Sequence, residues 1–442
     1  MKYLYLSILL SLLVYGSGYS QEMKQGMFAL PATTPYIDST DLQEIVFGKD
    51  ENDTSSGMPK KGELIYFILP LISYNPAQGT NFGVGITGAF QTGNPLTTAV
   101  SSFNGSINVT TKDQLMITAK GTVMFPDNEW ELLTDFRYFI YSQSTYGLGT
   151  DYNQPVKEGF SFAGKNTVPI PGEQPMYFDH FRSYLTLFRN LGSSLYIGLA
   201  YKLDYHYHIV DKLLNVTDTP YVVTSHNAYS TLYGYDPTQY ISSGVGLNVL
   251  YDDRDHTLNP YTGQFLQMAL EFYPTWLGSS NYYSALRLDL RKYISLSQER
   301  PRHLVAFWLI SMLSMGGNPP YLDLPASGYD MFNSSARGYL QGRWRGQNWM
   351  DLEAEYRFPI TNNGLLGGVV FANGFSFSRQ EIDAAQVGIQ SPKLGLFESM
   401  RFAAGAGLRI MLDRKGRMNL TVEYARGENG SSGLYIYVGE SF

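Results

Sequence analysis

Leu195-Tyr196-Ile197-Gly198-Leu199-Ala200-Tyr201-Lys202-Leu203-Asp204-Tyr205-His206-Tyr207-His208 alternates along its whole length. Leu195, Ile197, Leu199, Tyr201, Leu203, Tyr205 and Tyr207 fall on one face of an extended chain. Gly198, Ala200, Lys202, Asp204, His206 and His208 fall on the other, because successive strand side chains point in opposite directions. One greasy and one wet face suit a wall between lipid and an aqueous lumen. The rhythm returns in Leu266 to Phe272, Leu286 to Leu290, Met350 to Phe358, Phe402 to Ile410 and Met418 to Ala425. A soluble sandwich also alternates, but it has no need of strands this long.

Extending the pattern outward predicts strands near 65–74, 80–91, 98–110, 114–125, 129–142, 176–190, 194–210 and 239–252. The others fall near 262–275, 281–295, 301–315, 347–360, 365–377, 399–412, 417–426 and 433–442. Pro126-Asp127-Asn128 and Asn190-Leu191-Gly192 read as tight turns. The long connections 143–175, 211–238, 316–346 and 378–398 all follow odd-numbered strands, so they gather at one end. Short turns at one rim and long loops at the other predict an all-β fold. The expected architecture is a 16-stranded antiparallel transmembrane β-barrel over 63–442 with both termini in the periplasm.

Residues 1–20 read as a signal peptide: Lys2, an apolar run from Leu4 to Val14, then Gly16-Ser17-Gly18. The run is too short to span a membrane as a helix, which takes roughly 20 apolar residues. Residues 21–62 are polar, with Pro31, Pro35, Asp50-Glu51-Asn52-Asp53 and Lys60-Lys61, and predict a mostly disordered periplasmic leader. Within it, Thr40-Asp41-Leu42-Gln43 is similar to a capping box and allows one short helix through Val46. With no cysteine, disulfides, thiolate metal sites and lipid attachment through cysteine are excluded. The 35 tyrosines, 44 glycines and 25 phenylalanines, with 16% charged residues, fit lipid-facing strands bordered by aromatic girdles. A net charge of −7 without a basic stripe argues against nucleic acid as a partner.

Four landmarks resemble the BamA/TamA-like superfamily, the bacterial surface-antigen barrels that insert or translocate outer-membrane proteins. Ala336-Arg337-Gly338-Tyr339, before the twelfth strand, is similar to its arginine-glycine-aromatic motif in a loop that folds into the barrel. Asp253-Arg254-Asp255 through Pro260 to Gly263 resembles its periplasmic turn between the eighth and ninth strands. Leu69-Pro70 to Gly79 resembles its first hairpin, and Gly439-Glu440-Ser441-Phe442 its closing strand. The resemblance covers roughly 62–442. Two departures stand out. The sequence leaves no room for the POTRA domains of members that assemble other barrels. Asn373 also stands where the family has a carboxylate on the thirteenth strand.

The twelfth strand is informative without the family. Asp351, Glu353, Glu355 and Arg357 share its inward face, and three carboxylates in a row repel one another unless cations approach. With the resemblance, the expectation is that Arg337 enters the lumen and pairs with Glu355, helped by Asn373. Such a charge-assisted contact is worth roughly 1.5–3 kcal/mol. It would pin a long loop as a plug, whereas the bland reading is an acid-lined pore. Pro70 cannot donate a ladder bond and Gly439 weakens the last strand, so the seam ending at Phe442 should be poorly bonded. In the family this seam is a lateral gate.

Other chemistry is unpromising. His206 and His208 lack a third ligand for a metal. Asp255-His256 lies in the periplasmic turn, and no serine sits in a nucleophile elbow. No cofactor and no enzymatic activity are expected. The resemblance implies insertion or export of other outer-membrane proteins, with lipid, lipopolysaccharide, client proteins and assembly-complex subunits as partners. The rival is a passive channel or a structural barrel subunit.

Overall fold

A computed structural model describes Asp41, Leu42, Ile45 and residues 61–442, apart from 76–78, 151–160, 163, 169, 171, 257–258, 298–299, 301, 330–333, 379–395, 398 and 415–416. The expected signal peptide and most of the expected leader therefore lie outside the described residues. Leu42 and Ile45 are helical, with Ile45 N–H donating to Asp41 O at 3.2 Å, and Asp41 Oδ2 accepts from Arg414 N at 3.1 Å.

Sixteen strands form one antiparallel sheet in chain order. They are β1 Leu64–Asn75, β2 Gly79–Phe90, β3 Ser101–Thr110, β4 Leu115–Met124, β5 Trp130–Thr145, β6 Gln174–Gly192, β7 Leu195–Asp211 and β8 Tyr240–Asp252. The second half comprises β9 Gly263–Tyr273, β10 Tyr283–Ser295, β11 Leu304–Gly317, β12 Trp349–Pro359, β13 Leu366–Phe377, β14 Arg401–Asp413, β15 Met418–Gly427 and β16 Ser432–Val438. Each expected strand has its counterpart, and the wall is the transmembrane β-barrel that the alternation implies. Consecutive strands pair over nearly their full lengths, which satisfies the backbone groups that lipid cannot. Among the described residues no ladder joins β1 to β16.

Leu195, Ile197, Leu199 and Tyr201 are exposed on the outer face, while Tyr196, Ala200, Asp204 and His206 are buried inside. This phase does not survive to the end of β7. Register slips between Tyr177 and Asp179 opposite it, and His208 adopts φ +51°. The bulge turns His208 outward, its side chain 78% exposed and bonded to Asp179 at 2.8 Å. The expectation that His208 shares the lumen with His206 is thereby corrected. The last strand is also shorter than expected, ending at Val438 rather than at Phe442.

The long connections all leave odd strands, after β5, β7, β11 and β13. Three of them pack together over one end. The helix α1 (Ser225–Leu232) is capped by Thr224, whose side chain accepts from Asn227 N at 3.2 Å. Its Ala228 and Tyr229 pack with Val223, just before the cap, and with Leu148, Tyr321 and Leu324 from neighbouring loops. Arg345 gathers the loop between β11 and β12: Nη1 donates to the carbonyls of Tyr321 (2.9 Å), Leu322 (3.2 Å) and Leu324 (3.0 Å). Helix α1 has no apolar periodicity, so a sequence reading passes over it.

Candidate functional site in the lumen

The loop between β11 and β12 descends into the barrel and ends on Arg337, whose side chain is 1% exposed. Its guanidinium meets three glutamates on the inner wall. Nε donates to Glu353 at 3.2 Å, Nη2 donates to Glu353 and also to Glu355 at 2.5 Å, and Nη1 donates to Glu423 at 2.6 Å. The plane stacks over the Phe371 ring at 3.6 Å. A planar fork with five donors is the side chain that can satisfy several carboxylates at once.

Each expected partner has a definite position. Glu355 touches Arg337 but is one of three glutamates that do. Glu353, expected only in the acidic row, is a direct partner, and Asp351 accepts from Ala336 N at 2.6 Å. Asn373 helps through the backbone, donating from Nδ2 to Arg337 O at 3.0 Å. Glu423 was not anticipated, although it shares the inward face of β15 with Asn419 and Thr421. Arg409 pairs with Glu423 at 2.7 Å and with Glu440 at 2.8 Å, and Arg357 pairs with Glu355 at 2.7 Å. Arg337, Arg357 and Arg409 thus interleave with the carboxylates of this wall. The signal for Arg409 was its inward position in the Phe402-to-Ile410 alternation.

Gly338 and Tyr339 seat the motif. Gly338 has φ +101°, and a β-carbon there would stand 2.8 Å from Ala403 Cβ and 3.1 Å from Gly427 N. Its N–H donates to Tyr435 Oη at 2.8 Å, and its carbonyl accepts from Ser431 Oγ at 2.8 Å. Tyr339 lies flat on Gly427, donates to Phe402 O at 2.9 Å and accepts from Glu428 N at 2.9 Å. Its ring meets Phe375 edge-on at 5.1 Å.

A second polar cluster sits nearer the loop end. His180 and His206 stack at 4.2 Å, His180 Nε2 and Arg182 Nε each lie 2.7 Å from Asp204, and Asp323 of the inner loop reaches His206 at 3.3 Å and accepts from Ser242 Oγ at 2.5 Å. Among the described residues no group of three or more metal-type side chains could hold an ion.

At the opposite rim, the turn between β8 and β9 is tightly built. Arg254 forms a fork with Asp252 (Nε and Nη2 each 2.8 Å), and Asp253 Oδ1 accepts from Gln264 N at 2.6 Å. Asp255 Oδ1 accepts from Tyr261 N (2.8 Å) and Thr262 N (3.0 Å), beside the buried Pro260. Gly263, at φ +99°, leaves no space for a side chain against Asp253 O. Across the rim, Arg417 of the β14–β15 turn pairs with Asp255 at 2.7 Å and covers the Tyr261 ring at 4.2 Å. Burial, aided by Arg417, pushes the neighbouring His256 imidazole down to about 4. A histidine depressed in the folded state adds stability above its unfolded value of about 6.5 and loses it as pH falls through the folded one. The urea midpoint of the barrel should therefore drop between about pH 6.5 and 4. His256→Gln should flatten that drop, and an unchanged pH profile would count against this assignment.

Of the seam residues, Pro70 is exposed on β1 opposite Val84, as an edge strand tolerates. Gly439 lies just past β16 at φ +105°. Phe442 does not close the wall. It is 1% exposed inside the lumen, because the chain turns inward at Gly439.

Residues 73–442 match the Omp85 superfamily domain. The chain belongs to the Omp85 superfamily. That membership agrees with the resemblance carried by the Arg337 and Asp253 motifs, and makes the protein a bacterial outer-membrane β-barrel. Among solved structures, this Omp85 chain is similar to BamA from Haemophilus ducreyi lacking POTRA domains 1–3 (TM-score 0.52, 16% identity, 85% of this chain and 69% of that one). It is also similar to CdiB from Escherichia coli (TM-score 0.50, 11% identity, 85% of this chain and 62% of that one). CdiB from Acinetobacter baumannii follows at TM-score 0.46, 14% identity, 84% of this chain and 59% of that one. These likenesses concern the fold; the Omp85 chain spans about three fifths of either CdiB. No curated protein matches it by sequence.

Proposed function

We propose that this barrel assists the membrane insertion or export of other outer-membrane proteins, with a plugged lumen and a weak β1–β16 seam as its working parts. The observation that carries this reading is the pairing of a loop-filled interior with a β1–β16 edge that no ladder joins among the described residues. A passive pore needs an open lumen, whereas here Arg337 holds a loop across it. Unpaired strand edges are expensive in lipid and offer a template for another strand. In this reading the short-turn rim faces the periplasm, with Phe442 tucked into the lumen from that side, and the partners are lipid, lipopolysaccharide, client proteins and assembly subunits. No cofactor, nucleic acid or enzymatic turnover is involved.

Two measurements test the proposal. Purified barrel in planar bilayers should stay closed with rare brief openings, while large steady conductance would favour a passive channel. Cysteines that lock β1 to β16 should abolish assembly of client barrels in outer membranes, and full activity in the locked form would sink the proposal.

A further inference from the structure

Below the stacked histidines, the inner faces of β6, β7, β9 and β10 carry charges that take no part in the Arg337 lock. Tyr184 stands at their centre, with Arg182 Cζ 4.4 Å and Lys202 Nζ 4.9 Å from the middle of its ring. Asp204 Oδ1 lies 2.7 Å from both His180 Nε2 and Arg182 Nε, and its Oδ2 accepts from Tyr184 Oη. Glu271 Oε1 accepts from Lys202 Nζ, and Oε2 accepts from Arg287 Nε at 2.8 Å and Tyr273 Oη at 3.0 Å. Each carboxylate is thus engaged by several groups, and the two side chains are only 4% and 1% exposed. The arginines are more open, with side chains 23% (Arg182) and 40% (Arg287) exposed within the lumen. Each uses Nε on its carboxylate, and the Nη atoms of both have no hydrogen-bond partner among the described residues. The neighbouring acids are already taken. Asp135 on β5 is held by Arg137 at 2.8 Å, and Asp323 of the loop above by Ser242 and His206. Toward the short-turn rim, Phe188, Tyr196, Leu250 and Phe265 pack into an apolar layer.

We propose that this cluster is a binding site for a phosphate-class oxyanion, held by Arg182, Lys202 and Arg287. These three cations share two carboxylates, Asp204 and Glu271, so one positive charge is left over among like charges that repel. An anion seated among them relieves that repulsion and takes the unused N–H groups in charge-assisted bonds. The direction of the donors selects its shape. They arrive from three strands around one ring, which suits a tetrahedral group with oxygens on every side. A planar carboxylate is satisfied by a single guanidinium fork. The apolar layer beneath and Asp323 above bound the site along the barrel axis, which favours a small anion over a polymer. The site lies apart from the glutamates that hold Arg337, and its occupancy is independent of what the barrel does with clients.

The test titrates the folded full chain, in non-ionic detergent, with sodium pyrophosphate, inorganic phosphate and citrate. Heat-modifiable migration verifies each barrel, and calorimetry reads binding at an ionic strength fixed with sodium chloride. Pyrophosphate should bind saturably, a single ion per barrel, and raise the heat-modification midpoint; inorganic phosphate should bind more weakly. Arg182→Gln and Arg287→Gln should each weaken pyrophosphate binding roughly tenfold or more, the loss of a charge-assisted contact. Arg287→Lys should fall between, because it keeps the charge and loses the fork. Arg426→Gln, at an exposed position on β15, should bind as the native chain does. Where one glutamine variant does not fold, the other and Arg287→Lys carry the comparison. Absence of saturable binding to the native barrel would overturn the proposal. So would equal affinity in all the variants, or tighter binding of citrate than of pyrophosphate.

Discussion

Arg337→Ala should destabilise the folded barrel by about 3–5 kcal/mol, the usual cost of removing one partner from a buried ion pair. The cost arises less from lost attraction than from what stays behind. Glu353, Glu355 and Glu423 would remain buried with Arg357 and Arg409 as the nearby cations among the described residues. Water and protons must then enter, and the loop between β11 and β12 should become open to protease while the sixteen-stranded wall persists. A lower heat-modification midpoint with new cleavage near 318–348 is the expected result. Arg337→Lys should recover only part of it, since a single ammonium cannot present the fork that reaches three carboxylates. A variant as stable and protected as the native chain would show the lock to be decorative.

Gly338→Ala should cost about 1–3 kcal/mol for two reasons that act together. The residue sits at φ +101°, where a side chain is strained, and the added carbon collides with Ala403 and the Gly427 backbone. Relief requires the loop to rise off β14 and β15, which pulls on Tyr339 and on the Gly338 N–H bond to Tyr435. Its effect should therefore resemble that of Arg337→Ala in loop exposure, with all glutamate contacts chemically available. Loss of protection without loss of the barrel's circular-dichroism signal is the outcome to expect. A fully protected loop would mean that the backbone there is freer than the contacts imply.

Alternation is a local property, so the wall was legible from Leu195 to His208 and through each similar stretch. Reading failed where one residue shifts the phase. The slip opposite Tyr177–Asp179 turned His208 outward, and no residue type in the sequence announces a bulge. It failed again at Gly439, where a glycine that merely weakens a strand on paper ends it and redirects the chain. Within the site, three carboxylates on one strand face signalled a missing cation, and the Arg337 motif supplied it. Glu423 and the tail escaped notice because barrel curvature, not sequence spacing, brings β12, β15 and the C-terminus to one point. Helix α1 is held by packing against Tyr321 and Leu324, a cause that periodicity cannot register.

The bond between Arg417 and Asp255 ties two hairpins across the short-turn rim, one between β8 and β9 and the other between β14 and β15. A chord across a hoop divides it into a braced arc and a free one. Strands β9 to β14 belong to the braced sector, whose outline is fixed at the rim by that tie. The other sector holds both ends of the sheet, so any widening of the cylinder is channelled there, and the barrel should breathe as a hinged cuff.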